Sequence, residues 1–135
     1  MPLIGPLKLK AQVFCGPETA MGPGKADLLE AIDREGSISA AGRAMGMSYR
    51  RTWLLVATMN RCWAEPLVAA MPGGGAGKGA HLTDCGRTVL AAYRALEGEL
   101  VAAARSPALE RLEGLMAPQP RPPRTSADAI VKDAG

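Results

Sequence analysis

The spacing of apolar and polar residues changes several times along this chain, and each change marks an expected element. Leu7, Leu9, Ala11 and Val13 alternate with Lys8, Lys10 and Gln12 before Phe14, the period of a short strand. Gly16-Pro17 and Gly22-Pro23-Gly24 break it. From Lys25 the period lengthens. Leu28, Leu29, Ile32 and, less regularly, Ala31 describe one face of a helix, while Glu30, Asp33, Arg34 and Glu35 cover the other as a solvated face. Gly36 ends that helix, and Ser37 caps a second over about residues 38–45. Ser48 caps a third that runs to about Trp63, with Thr52, Leu55, Val56, Met59 and Trp63 at core-facing spacing.

The period then shortens again. Residues 66–71 form a short extended run, residues 72–79 are glycine-rich, and Ala80-His81-Leu82 returns to extended spacing, which predicts a β-hairpin. Thr83 caps a long helix carrying Val89, Leu90, Tyr93, Leu96, Leu100 and Val101. After Ser106-Pro107 a weaker helical piece, residues 108–116, leads into the proline-rich tract 118–124. The order is strand, three helices, hairpin, helix and tail. It predicts a mainly α fold with a small β-hairpin, a winged helix-turn-helix with a long C-terminal dimerisation helix. Residues 1–105 are expected to form the DNA-binding and dimerisation domain, and residues 106–135 a proline-rich flexible tail.

The segment from Ser37 to Trp53 holds the candidate chemistry. Gly42 lets two helices approach closely, Gly46 can adopt positive φ, and Met45 and Met47 anchor the turn in the core. If Thr52, Leu55, Val56 and Met59 face inward, then Tyr49, Arg50, Arg51, Trp53, Leu54 and Arg61 lie on or beside the outer face. Arginine can bond guanine through two hydrogen bonds, and tyrosine can reach a phosphate or stack on a sugar. Ser48 and the helix start offer free N–H groups to a phosphate. Leu54 and Ala57 can meet thymine methyls. Trp53 also fits half-buried packing, the commoner use of a tryptophan on a helix.

Composition narrows the classes. The chain has 135 residues, 47% of them hydrophobic but only 4% aromatic, so its core is modest and dimerisation is a natural support. Its net charge is only +3, yet the stretch from Ser37 to Arg94 holds seven basic residues against two acidic ones. Positive charge is therefore concentrated where the helix-turn-helix lies, as a nucleic-acid footprint requires. No apolar run approaches the roughly 18 residues of a membrane span, and residues 1–10 lack a positive segment followed by an apolar stretch, so a secretory signal is not expected. Cys15, Cys62 and Cys85 are widely spaced without a C-x-x-C pair, which fits a reducing cytoplasm better than a disulfide framework or a metal site. No cofactor and no metal are expected.

The glycine-rich loop invites a nucleotide-binding reading, which its residues oppose. A Walker loop needs a glycine where Pro72 stands and a hydroxyl where Gly79 follows Lys78. As a wing, the same glycines let the tip lie against a duplex backbone, with Lys78 making one phosphate contact. One histidine, His81, expected to be a strand residue, offers no acid–base constellation, so an enzyme is not expected.

Several residues in order resemble the N-terminal domain of ModE-type molybdate-responsive transcriptional regulators. They are Gly36-Ser37-Ile38-Ser39, Gly46-Met47-Ser48-Tyr49, Trp53, Met59-Asn60, Leu67-Val68, the wing from Gly73 to Gly79, Leu82-Thr83, Gly86 and Tyr93. A looser resemblance links the same motif to the LysR winged helix. The resemblance covers about residues 7–104 and implies a cytoplasmic homodimer whose recognition helices read an inverted repeat in double-stranded DNA. It implies pairing through the first helix and the long helix after the wing. The DNA-contact candidates it carries are Ser37, Ser39, Ser48, Tyr49, Arg50, Arg51, Trp53 and Lys78. That family carries lysine at the position of Arg50, and arginine adds the capacity for bidentate contact. Its C-terminal β-barrel takes molybdate or tungstate. The about thirty residues after Arg105 are proline-rich without alternating strands, and although Arg124-Thr125-Ser126-Ala127 faintly resembles the opening of that module, no such barrel is expected from them. Direct molybdate or tungstate binding is accordingly not expected of this chain, whereas a molybdenum-related regulatory role is. The rival expectation is a winged-helix module that docks a protein without specific DNA binding.

Overall fold

A computed structural model describes residues 1–70 and 79–123 of the chain. It divides into two units, Met1–Ala104 and Arg105–Gly135.

Two tight hairpins open the first unit. β1 (Leu3–Ile4) pairs with β2 (Leu7–Lys8), and β3 (Val13–Cys15) with β4 (Glu18–Met21), both antiparallel. Each is closed by a Gly-Pro pair. Gly5 and Gly16 have φ of 57° and 55°. Proline cannot follow them to positive φ, so the two-residue loops are of the type II′ kind that suits strand twist. This corrects the single strand expected over residues 7–14. The alternating run is split between two hairpins, and Gly16-Pro17 turns a strand that it was expected only to end.

The helices follow the apolar spacing. α1 (Pro23–Glu35) starts on a proline, which gives up no helical hydrogen bond there, and buries Ala26, Leu28, Leu29, Ala31 and Ile32. Ser37 caps α2 (Ile38–Ala44) by accepting from the Ala40 N–H at 2.9 Å. The turn after α2 is a Schellman motif. Gly46, at φ 70°, donates to the Arg43 carbonyl at 3.0 Å, and Met47 donates to that of Gly42 at 2.8 Å. α3 (Tyr49–Cys62) then departs, with Thr52 packed directly against Gly42, where no side chain would fit.

β5 (Val68–Ala70) and β6 (Ala80–Leu82) are antiparallel, with Val68 opposite Leu82 and Ala70 opposite Ala80. Exposed His81 lies in β6. The loop between the strands, with Lys78, lies outside the described residues. α4 (Asp84–Ala104) closes the unit. Leu28, Leu29 and Ile32 of α1, Met59 of α3, Leu67 and Leu82 meet fully buried in one cluster. Each such side chain contributes about 1.5–3 kcal/mol by leaving water. The architecture is a winged helix-turn-helix, mainly α with small hairpins.

Near its middle, α4 is tied to the N-terminal segment and to α1 by Tyr93 and Arg94. The Tyr93 hydroxyl donates to the Ala11 carbonyl at 2.7 Å, and burial, aided by Glu97, pushes its pKa up to about 12. It therefore stays a donor throughout the neutral range. Next to it, the Arg94 guanidinium donates to Glu30 at 2.6 Å, Asp27 at 2.7 Å and Glu97 at 2.8 Å. Those carboxylates, Glu30 first, hold its pKa above the ordinary arginine value. The solvated acidic face expected on α1 is thus partly a docking face, because Glu30 and Asp27 are tied to α4. In the second unit, α5 (Pro107–Leu115) is capped by Ser106, which accepts from the Leu109 N–H at 3.4 Å. Among the described residues no helix is long and apolar enough to cross a membrane.

Candidate nucleic-acid interface

α3 owes its orientation to which of its residues are buried. Thr52, Val56 and Met59 face the core, with Leu55 half-buried beside them. The remaining positions of its first two turns are forced outward, leaving Tyr49, Arg50, Arg51, Trp53 and Leu54 exposed. Ser48 fixes the start by accepting from the Arg51 N–H at 3.1 Å, while the Thr52 hydroxyl donates to the Ser48 carbonyl at 2.8 Å. Arg50 and Arg51 take part in no ion pair among the described residues. α3 contains no acidic residue. The helix thus presents two unneutralised guanidiniums on its first turn.

Tyr49 and Trp53, one turn apart, stack at a tilt, with ring centroids 5.9 Å apart and planes at 56°. Trp53 keeps 40% of its surface exposed, so packing alone does not account for it. The two rings wall a depression of about 110 Å³ shared with Ile38 and Ser39 of α2 and with Ala70, Gly79 and Ala80 of the wing. Ser39, Tyr49 and Trp53 are therefore brought together at the wing side of α3. Ser37 is set apart as a half-buried cap whose oxygen is already used by Ala40. On the opposite flank, Arg51 and Leu55 border a second depression of about 200 Å³, which Lys10 and Lys25 also line. Sequence reasoning did not select these two lysines. Lys10 belongs to an alternating run and Lys25 to a helix start, and only the fold places them beside Arg51.

The wing is held at its base by a side-chain clamp. The Asn60 carbonyl oxygen accepts from the Leu67 and Val68 N–H groups at 2.9 and 3.1 Å, and its amide donates to the Val68 carbonyl at 3.0 Å. From the other side, the Thr83 hydroxyl donates to the Pro66 carbonyl at 2.6 Å and accepts from the Gly86 N–H at 2.9 Å. Asn60→Ala strands two backbone donors of buried residues. It is expected to cost about 2 kcal/mol, read as a lower midpoint in urea unfolding at unchanged slope. An unchanged midpoint would show that water takes over the clamp.

Comparison with known proteins gives this geometry a lineage. No protein-family model matches the chain. It is 48% identical over 81 residues to a molybdenum transport protein ModE of Azotobacter vinelandii, covering 60% of this chain and 30% of the relative. It is 52% identical over 77 residues to the molybdenum-pterin-binding protein MopB of Rhodobacter capsulatus, covering 57% and 28%. With the DNA-binding transcriptional dual regulator ModE of Escherichia coli K12 it shares 33% identity over 87 residues, 64% of this chain and 31% of the relative. Over 57–64% of its length this chain is similar to these ModE and MopB proteins. The chain spans about 30% of the length of these curated relatives.

Within this matched region, the residues that carried the resemblance divide by what they touch. Asn60, Leu67, Val68, Thr83 and Gly86 all meet at the wing base and set the angle between wing and α3. Tyr49 and Trp53 face outward and stay exposed beside α2 and the wing strands. Tyr93 anchors α4 to the segment before β3.

Proposed function

We propose that this chain is a sequence-specific DNA-binding transcriptional regulator. It acts as a cytoplasmic homodimer on an inverted repeat, in a molybdenum-related response. The observation that carries the reading is the outward face of α3, where Arg50 and Arg51, in no ion pair among the described residues, stand beside the Tyr49–Trp53 pair. That face has the width and charge to enter a major groove, with the wing against one backbone. Ser48, the helix start and Ser39 border the same face. Ser37 contributes by capping α2, and Lys78 is proposed as the wing's phosphate contact. The relatives described as a DNA-binding regulator and as molybdenum proteins support the function class and its link to molybdenum.

The dimer rests on α4. Its Leu96 and Leu100 are 37% and 38% exposed, and Leu96 borders an apolar groove of about 220 Å³ with Val13, Met21, Trp63 and Val89. In this reading a second copy covers this face, and the two recognition helices meet half-sites one helical turn apart, as helix-turn-helix dimers do.

The test is binding of the full chain to duplex DNA across a salt series. Affinity is expected to fall steeply, tenfold or more between about 50 and 200 mM salt, as displaced counterions require. Undetectable or salt-insensitive binding would overturn the DNA reading in favour of a protein-docking module.

A further inference from the structure

The recognition helix is flanked on both sides, and only one flank is the wing. On the other, a depression of about 200 Å³ runs from the α2–α3 turn, at Met45 and Met47, to the start of α1. Lys10, Lys25 and Arg51 converge on it, with Gln12 and Thr19 as neutral hydrogen-bonding groups. No carboxylate lines it, and none of the three cations is in an ion pair among the described residues. Lys25 is half-buried. That burial holds its ammonium below the ordinary lysine pKa, against an opposing effect from Cys62, with lesser contributions from Arg51, which lowers it, and Glu18, which raises it. Three like charges gathered around an open, acid-free hollow repel one another, and an incoming anion relieves that repulsion.

We propose that Lys10, Lys25 and Arg51 form a phosphodiester-binding subsite for the DNA strand opposite the one the wing follows. This deepens the DNA-binding function proposed above and rests on it. A helix in a major groove about 12 Å wide has a sugar–phosphate backbone on each side. Tyr49 and Trp53 line the wing-side depression and Arg51 and Leu55 the lysine-lined one, so with α3 in the groove the first would face one backbone and the second the other. Arg51 points to the second flank and Arg50 remains for the groove floor, so adjacent arginines take different tasks. Contacts of this kind fix the register of a protein on the duplex without reading sequence.

The experiment measures affinity of the full chain for a random-sequence duplex against salt, for wild type, Lys10→Gln, Lys25→Met and the double variant. Lys25→Met keeps the half-buried stem, and thermal unfolding confirms that each variant folds. The log–log salt slope is expected to fall by about 0.9 for each lysine lost. Specificity among sequences should not change. An unchanged slope in both folded single variants, with wild type still binding steeply, overturns the subsite alone. Absent duplex binding by wild type overturns the DNA reading itself. Inorganic phosphate supplies the other arm. If it binds in the hollow and is lost in Lys25→Met, while the duplex slope stays unchanged, the site takes a free oxyanion and the phosphodiester assignment is overturned.

Discussion

Gly86→Ala is expected to destabilise the fold by about 3 kcal/mol, the upper end of what overpacking usually costs. A Cβ at this position would run into the Leu67 carbonyl oxygen, with the Leu67 carbonyl carbon 3.0 Å and its Cα 3.2 Å away. These are backbone atoms, so no rotamer change makes room. Nor can the Leu67 backbone retreat. Its N–H donates to Asn60 at 2.9 Å, and its carbonyl accepts from Thr83 at 2.9 Å. Relief would require α4 to slide away from the wing base and break the clamp from one side or the other. Gly98, in the same helix, provides the comparison. It is exposed, and a Cβ there meets nothing within 4 Å. Gly98→Ala should therefore gain about 0.5–1 kcal/mol from helix propensity alone. For a domain of this size the Gly86 loss corresponds to a fall in melting temperature of roughly 10–20 °C. Melting curves of the two variants should thus move in opposite directions. Equal shifts would mean that helix propensity, not the collision with Leu67, governs position 86.

The helices were legible in the sequence because burial alone decides them. Leu28, Leu29 and Ile32 repeat at helical spacing and are fully buried, and Ser37 and Ser48 cap where a hydroxyl before an apolar run predicts a cap. The N-terminal hairpins were not legible from periodicity. An alternating run such as residues 7–14 reads the same whether it is one strand or parts of two, and only the Gly-Pro dipeptides signal the turns. Contacts between distant segments were hidden for another reason. Arg94 meets Glu30 across 64 residues, and Tyr93 meets Ala11 across 82, and no local pattern encodes such pairs. The interface was half legible. The outward set on α3 follows from its inward set by subtraction, which yields Tyr49, Arg50, Arg51 and Trp53. Lys10 and Lys25 follow from no such rule, because their place beside Arg51 depends on how the β3–β4 hairpin and α1 meet the α2–α3 turn.

Arg50 should show the largest effect on DNA recognition, and two substitutions there separate charge from geometry. It is exposed in the first turn of α3, free of ion pairs among the described residues, and does not border the lysine-lined hollow that Arg51 reaches. Its planar guanidinium can make two parallel bonds to the major-groove edge of guanine, whereas a lysine ammonium acts as a point charge. On a duplex selected from a random pool by the wild-type chain, Arg50→Lys should lose about 10- to 100-fold in affinity, the worth of one bidentate pair. Its salt slope should stay unchanged, because the charge is kept. Arg50→Ala should lose at least as much. If the guanidinium also neutralises a phosphate, its slope should drop by about 0.9 as well. On random duplex both losses should be small, so specificity falls with affinity. Arg61, exposed near the other end of α3, is the internal comparison, and its replacement by alanine should leave discrimination between selected and random duplex intact. Equal losses on selected and random duplex would reassign Arg50 to the backbone, and the reading of bases would then fall to Tyr49 and to the apolar edge formed by Trp53 and Leu54.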